Sequence, residues 1–258
     1  MRNHLSVVLS SALLVVGGSV NAEAQQSPVA ELGVTFWKPT PELRLSTDAL
    51  AAADLSEVDF VQEFGIEDKY FPEFRLTLGR KHKFRTSFVT FNYNPEAIIT
   101  RRITFRGQTF NIGAPATADI KWKLYRFGYE WDVVSGNGGF VGLVADLKYN
   151  RVEASIDSPL LTSAATTDVT APIPTIGVIG RGYISPNVSI TGEFSGLNIA
   201  RDEDEGKLYD FDLYGTVTAG RNFGVQAGYR SVIVDYVVDS DSGVLKMKGL
   251  YLGAVVRF

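Results

Sequence analysis

From Gln25 onward the dominant hydrophobic period along the chain is two. In YDFDLYGTV, Tyr209, Phe211, Leu213 and Val217 fall on one face, and Asp210, Asp212, Tyr214 and Thr216 on the other. In VSITGEF, Val188, Ile190 and Phe194 alternate with Ser189, Thr191 and Glu193. In YRFGYEWDV, Tyr125, Phe127, Tyr129 and Trp131 alternate with Arg126, Gly128, Glu130 and Asp132. Such alternation marks β-strands with two chemically different faces. Ten segments of this kind are expected, over 29–38, 71–80, 83–94, 116–133, 140–156, 172–184, 187–199, 207–219, 223–238 and 244–258. Residues 39–71 read as a short helix, an extra strand pair or a loop folded over one end, so eight or twelve strands remain as alternatives. Residues 99–113 read as a hairpin turning near Arg106-Gly107.

A soluble sandwich would alternate too, but the spacing of the segments favours an apolar exterior facing lipid. Many segments reach the roughly ten residues that a tilted strand needs to cross a bilayer. The connections alternate in length: RKH (80–82), SGNGG (135–139), SPN (185–187) and GRN (220–222) are short, while 39–71, 95–115, 157–171 and 200–206 are longer and polar. Aromatics near segment ends (Tyr93, Trp131, Phe140, Tyr183, Tyr209 and Phe223) are expected in interfacial girdles. The fold class predicted is all-β, a closed antiparallel transmembrane β-barrel of about ten strands. An even strand number puts both termini on the short-turn, periplasmic side.

Residues 1–24 carry Arg2, an apolar stretch from Leu5 to Val16 and an Ala22-Glu23-Ala24 cleavage pattern, which reads as a secretory signal peptide cut before Gln25. The barrel domain is then 25–258. A net charge of −4 lacks the basic excess that a nucleic-acid partner requires. The absence of cysteine excludes disulfides, thiolate metal sites and a cysteine nucleophile.

The chain closes on YLGAVVRF, with Leu250, Leu252, Ala254, Val256 and Phe258 expected to face lipid and Tyr251, Gly253, Val255 and Arg257 the interior. Tyr251, Gly253, Val256 and Phe258 fit the positions of the C-terminal signal of bacterial outer-membrane barrels. With this tail, the mature chain resembles small outer-membrane β-barrel proteins of the broad OmpA/OmpW-like kind, without the periplasmic domain of OmpA. The resemblance implies residence in the outer membrane of a Gram-negative bacterium. It also implies contact with outer-membrane lipid and lipopolysaccharide, and delivery to the barrel-assembly machinery through the four tail residues.

The inward faces carry the candidate chemistry. Alternation places Arg75, Arg85, Arg126, Lys148, Arg181 and Arg230 inside, together with Glu130, Asp132, Asp146, Glu193, Asp210 and Asp212. Opposite charges in a narrow, poorly hydrated lumen are expected to pair, because an unpaired buried charge is costly. The expected outcome is a charge-paired plug in a non-enzymatic, porin-like barrel acting in membrane integrity or surface interaction. A narrow diffusion channel is the alternative, and a hydrolase comes third. Barrel enzymes rely on a histidine near the outer leaflet. Here His4 belongs to the signal peptide, and His82 sits in a periplasmic turn, where it reads as a solvated turn residue. Asp210 and Asp212 resemble a carboxylate pair but read as ion-paired. The acidic RDEDEGK (201–207) and DSDSG (239–243) stretches read as solvated turns, and no metal or cofactor is implied.

Overall fold

The computed structural model describes residues 28–46, 57–160, 164–201, 204–238 and 241–258. The signal-peptide reading of 1–24 lies outside the described residues, as do Asp202, Glu203, Asp239 and Ser240 of the two acidic turns. In chain order the elements are β1 (Ala30–Ser46), β2 (Glu57–Asp59), α1 (Phe60–Phe64), β3 (Phe71–Gly79), β4 (His82–Tyr93), β5 (Glu96–Ile98), β6 (Ile103–Phe105) and β7 (Gln108–Phe110). They continue with β8 (Pro115–Gly136), β9 (Gly139–Asp157), β10 (Ala165–Ser185), β11 (Val188–Arg201), β12 (Asp204–Ala219), β13 (Phe223–Val238) and β14 (Asp241–Arg257). Strands β1, β3, β4 and β8–β14 form a ten-stranded antiparallel barrel.

Closure is made by β14 against β1, in continuous register from Glu31↔Arg257 to Ser46↔Ser242. At the periplasmic rim the Phe258 carbonyl accepts from Val29 N–H (2.7 Å) and Ala30 N–H (3.2 Å), and Phe258 N–H donates to the Ala30 carbonyl (2.9 Å). The backbone ladder therefore runs around the whole wall, which lipid requires because it offers no hydrogen bonds to an open edge.

The strands run longer than their apolar alternation suggests. β1 continues to Ser46, eight residues past the expected end, and β10 begins at Ala165, not 172. Beyond the bilayer the wall stays paired although its outer face turns polar. The described residues of 39–71 (39–46 and 57–71) contain pieces of all three expected outcomes: the β1 extension paired with β2, the short helix α1, and side chains buried in the mouth. Asp59 caps α1, accepting from Val61 and Gln62 N–H at 3.0 Å, and Gly65 in the left-handed region ends it. Strands β6 and β7 form the expected hairpin, turning on Arg106 (φ 50°) and Gly107 (φ 73°). Two consecutive positive φ values match the twist of a tight hairpin, and Gly107 adopts one without a Cβ penalty.

On the outside, Leu32, Phe36, Phe74, Phe84, Phe127, Leu143, Val178, Phe211, Leu213, Leu250 and Leu252 are all exposed, forming an apolar belt around the wall. A belt of this size on a monomer is a lipid-facing surface. Trp131, Tyr209 and Phe223 belong to it as expected (40%, 38% and 46% exposed). Tyr93 and Phe140 do not: at 6% and 7% exposed they point into the barrel, Tyr93 against Phe71 (5.3 Å) and Phe140 under the Lys83 ammonium (3.8 Å). Tyr183 shares the inward phase of Arg181 and is half-buried. Aromatics at strand ends thus serve both faces, and phase within the strand decides which. No described helix is long and apolar enough to cross a membrane.

Because the ladder is closed, the barrel should resist detergent until heated. Unboiled protein is expected to migrate differently from boiled protein on a denaturing gel; identical migration without a protease-resistant core would contradict closure.

Candidate functional site: the two-storey lumen

The interior changes character halfway up. Over the belt, eight cations (Arg75, Lys83, Arg85, Arg126, Lys148, Arg181, Arg230 and Arg257) face eight carboxylates (Glu31, Glu73, Glu130, Asp132, Asp146, Glu193, Asp210 and Asp212) among the described residues. All twelve lumen residues expected from alternation lie in this set. Arg257 was expected inward with the tail strand; Glu31, Glu73 and Lys83 were not counted, although Glu73 and Lys83 hold the same strand phase as Arg75 and Arg85.

The charges form strings of strictly alternating sign. One runs Asp132–Lys83–Glu130–Arg85–Glu193–Arg126–Asp146, with contacts of 2.8 Å (Lys83–Asp132), 2.6 Å (Lys83–Glu130), 3.2 Å (Arg85–Glu130), 2.5 Å (Arg85–Glu193) and 2.7 Å (Arg126–Asp146), and a close Arg126–Glu193 pair. A second runs Asp212–Arg75–Glu73–Arg230–Asp210–Lys148, with both Arg75 contacts at 2.8 Å, Arg230–Asp210 at 2.9 Å and Lys148–Asp210 at 2.8 Å, and a close Arg230–Glu73 pair. The Tyr251 hydroxyl donates to Asp212 (2.8 Å), and Lys148 also donates to Ser195 Oγ (2.8 Å). Below these, Glu31 joins Arg257 (2.8 Å) and Arg181 (3.7 Å). Asp210 and Asp212 therefore answer to different cations, Asp210 to Arg230 and Lys148 and Asp212 to Arg75.

Local backbone makes room for this packing. A Cβ on Gly128 would lie 2.0 Å from Asp146 Oδ1, so glycine there leaves the space that the carboxylate occupies beside Arg126. Residual cavities of about 50 and 40 Å³ remain among these side chains. Each is room for a few waters.

Above the charges lies an aromatic floor. Trp37 and Trp122 pack on opposite sides of Phe91 (centroids 5.4 and 5.1 Å), Phe71 joins Phe91 at 5.1 Å, and Arg230 lies 5.3 Å beneath the Trp37 ring. The indole N–H groups are satisfied, Trp37 donating to the Gly249 carbonyl (3.2 Å) and Trp122 to Asn150 Oδ1 (3.1 Å). Over the floor the mouth is filled by apolar side chains of the tall strands (Leu43, Ile120, Ile156, Val234, Leu245, Met247) and of the inserted segments (Val58, Phe60, Phe64, Ile103, Phe105, Phe110), all buried. Phe105 meets Phe60 edge-on at 5.7 Å. The inserts are pinned by polar contacts: Arg101 to Glu63 (2.6 Å) and, at the hairpin tip, Arg106 to Thr167 (2.6 Å) and Asp241 (2.5 Å). Burial in this mouth pushes the Tyr236 phenol up to about 12. Glu42, outside the mouth wall, is held below the usual carboxylate range, chiefly by the Lys246 ammonium that donates to it at 2.8 Å.

Sequence reasoning missed the apolar upper storey, though a signal exists. In β8, Arg126 and Glu130 point in while Phe127 and Tyr129 point out, yet a few residues earlier Ile120 and Trp122 point in while Lys121 and Lys123 point out. β14 inverts in the same way, from Tyr251 in and Leu250 out to Met247 in and Lys248 out. The facing is unbroken and the polarity flips. The flip marks where the wall leaves the bilayer.

His82 is also not simply a solvated turn residue. It opens β4 on the outer wall, its Nδ1 lies 2.6 Å from the Tyr129 hydroxyl, and its ring stacks with Tyr129 and Trp131 (6.0 and 6.2 Å). It remains at the periplasmic end, far from the mouth. The four tail residues lie on β14 or beside its end, Tyr251 buried in the lumen and Phe258 67% exposed at the rim.

No protein-family model and no curated protein matches the sequence. Among solved structures the chain is similar to the outer membrane protease OmpT of Escherichia coli, at 10% identity over 89% of this chain and 96% of that one, with a TM-score of 0.56. Ail, the attachment invasion locus protein of Yersinia pestis, solved with the heparin analogue sucrose octasulfate, aligns at 12% identity over 89% and 99% (TM-score 0.40). Neisserial surface protein A aligns at 13% identity over 89% and 97% (TM-score 0.36). The likeness to OmpT establishes the fold, that of an outer-membrane β-barrel; together with the lipid-facing belt it places the protein in the outer membrane.

Removing one partner from the lumen leaves the other charge buried. Arg126→Ala and Arg230→Ala are each expected to cost about 3–5 kcal/mol of stability, whereas Glu67→Ala, at an exposed loop position, should cost under about 0.5 kcal/mol. Unfolding midpoints in detergent or lipid read the difference, and equal midpoints for all three variants would contradict a buried, paired lumen.

Proposed function

We propose that this protein is a sealed, non-enzymatic barrel that serves envelope integrity or surface interaction in a Gram-negative bacterium. The observation carrying this reading is the double seal: alternating charge strings within the bilayer and an apolar plug in the mouth, separated by the Trp37–Phe91–Trp122 floor. A solute path needs a continuous wet lining, and the interior offers a charge lattice followed by a dry core. A hydrolase is disfavoured because the sole histidine of the mature chain, His82, sits at the end away from the mouth. Under this reading the protein's partners are the outer-leaflet lipid and lipopolysaccharide around its belt. During biogenesis, the barrel-assembly machinery would recognise Tyr251, Gly253, Val256 and Phe258.

In a planar bilayer the purified protein should be silent. Discrete conductance steps of the parent would replace this reading with a narrow diffusion channel. Phe258→Asp should lower abundance in the outer membrane, because the variant keeps the strand but loses the aromatic at the rim; unchanged surface levels would remove the tail from the assembly role.

A further inference from the structure

At the outer edge of the belt, on the wall where β1 and β14 close the barrel, lies a groove of about 650 Å³. Phe36, Leu250 and Leu252 form its apolar floor, all more than half exposed, with Tyr70 and Tyr229 at its sides. Lys38 and Lys248 stand at its upper rim. Lys38 lies opposite Leu250 and Thr40 opposite Lys248, so Lys38 stands level with the top of the floor and Lys248 two residues higher on the adjacent strand. Both side chains are exposed.

Two other lysines at similar height on the wall are paired, whereas Lys121 on β8 is not. Lys123 has Glu153 at 3.5 Å, and Lys246 has Glu42 at 2.8 Å. Among the described residues neither Lys38 nor Lys248 has a carboxylate within ion-pair distance, and Lys38 rests 5.7 Å over the Tyr70 ring. The groove's one carboxylate, Asp68, accepts from the Thr40 hydroxyl at 3.1 Å. Two uncompensated ammoniums above an apolar trough, at the boundary between lipid and water, complement an amphiphile with acyl chains below and a phosphate above.

We propose that this seam binds one phosphorylated glycolipid of the outer leaflet, its chains along Phe36, Leu250 and Leu252 and its phosphate between Lys38 and Lys248. The inference rests on the envelope reading and narrows it to one lipid class at one place. The ligand would touch both strands of the closing seam.

Native mass spectrometry of the detergent-purified barrel titrated with bis-phosphorylated lipid A tests this. The parent should retain one lipid A. Lys38→Gln with Lys248→Gln should weaken retention by about tenfold or more, the loss of charge-assisted contacts to one phosphate. Lys38→Arg with Lys248→Arg should keep it, and so should Lys121→Gln with Lys123→Gln on β8. Heat-dependent gel migration checks that each variant is folded. Retention by the double glutamine variant equal to the parent overturns the site, as does equal loss in the β8 variant or equal displacement by phosphatidylglycerol. Conductance reads the sealed barrel separately: a conducting barrel with lysine-dependent retention removes that reading and keeps the groove, and a silent barrel without such retention removes the groove alone.

Discussion

Hydrocarbon offers a peptide backbone no hydrogen bonds, and the rest of this structure follows from that lack. Every N–H and C=O at bilayer depth must find a partner in the next strand, so the sheet must close on itself. β14 meets β1 over its full length, and the Phe258 backbone completes the rim. Closure with ten strands encloses a volume nearer the filled eight-stranded barrel than the open sixteen-stranded porin. That volume is filled by whatever the inward phase of each strand supplies.

What it supplies depends on height. Within the bilayer the outward phase is taken by apolar residues, so polar residues occupy the inward phase and have to neutralise one another. Eight cations against eight carboxylates do so, and each internal member of the strings touches two opposite charges, which spreads the desolvation cost over several contacts. Above the bilayer the outer face is wet, and the same strands can bury an ordinary apolar core. The junction is handled by amphipathic side chains. Trp37 presents a ring to the core above and a face to Arg230 below, and its N–H reaches the Gly249 carbonyl. Two solvents outside thus produce two different interiors inside one continuous wall.

Much of this was legible from strand phase alone. The ten barrel strands, the short periplasmic turns and the hairpin at Arg106-Gly107 follow from period two and turn chemistry, which are local properties. The missing parts are non-local. The phase of Glu73 and Lys83 matches that of Arg75 and Arg85, but their partners Arg230 and Glu130 come from other strands. Tyr93 and Phe140 look like girdle residues by position, and only their phase sends them inward. The extensions of β1 and β10 are held by pairing to tall neighbours, not by a lipid-facing pattern of their own. The polarity flips in β8 and β14 were present in the sequence, but their meaning needs the two environments of the wall.

The two storeys draw on different parts of the chain. The charge strings are built from the barrel strands alone, whereas the upper plug depends on inserts between β1 and β3 and between β4 and β8. These inserts add no strand to the membrane wall, so they fill the mouth without altering closure. A barrel that merely needed to be stable would be complete with the charge lattice. The second, apolar layer is tied by Arg106 to both β10 and β14. It gives the tall strands a solid core to stand on outside the membrane. Among the described residues, the apolar mouth thus stands directly on the charge-paired lumen.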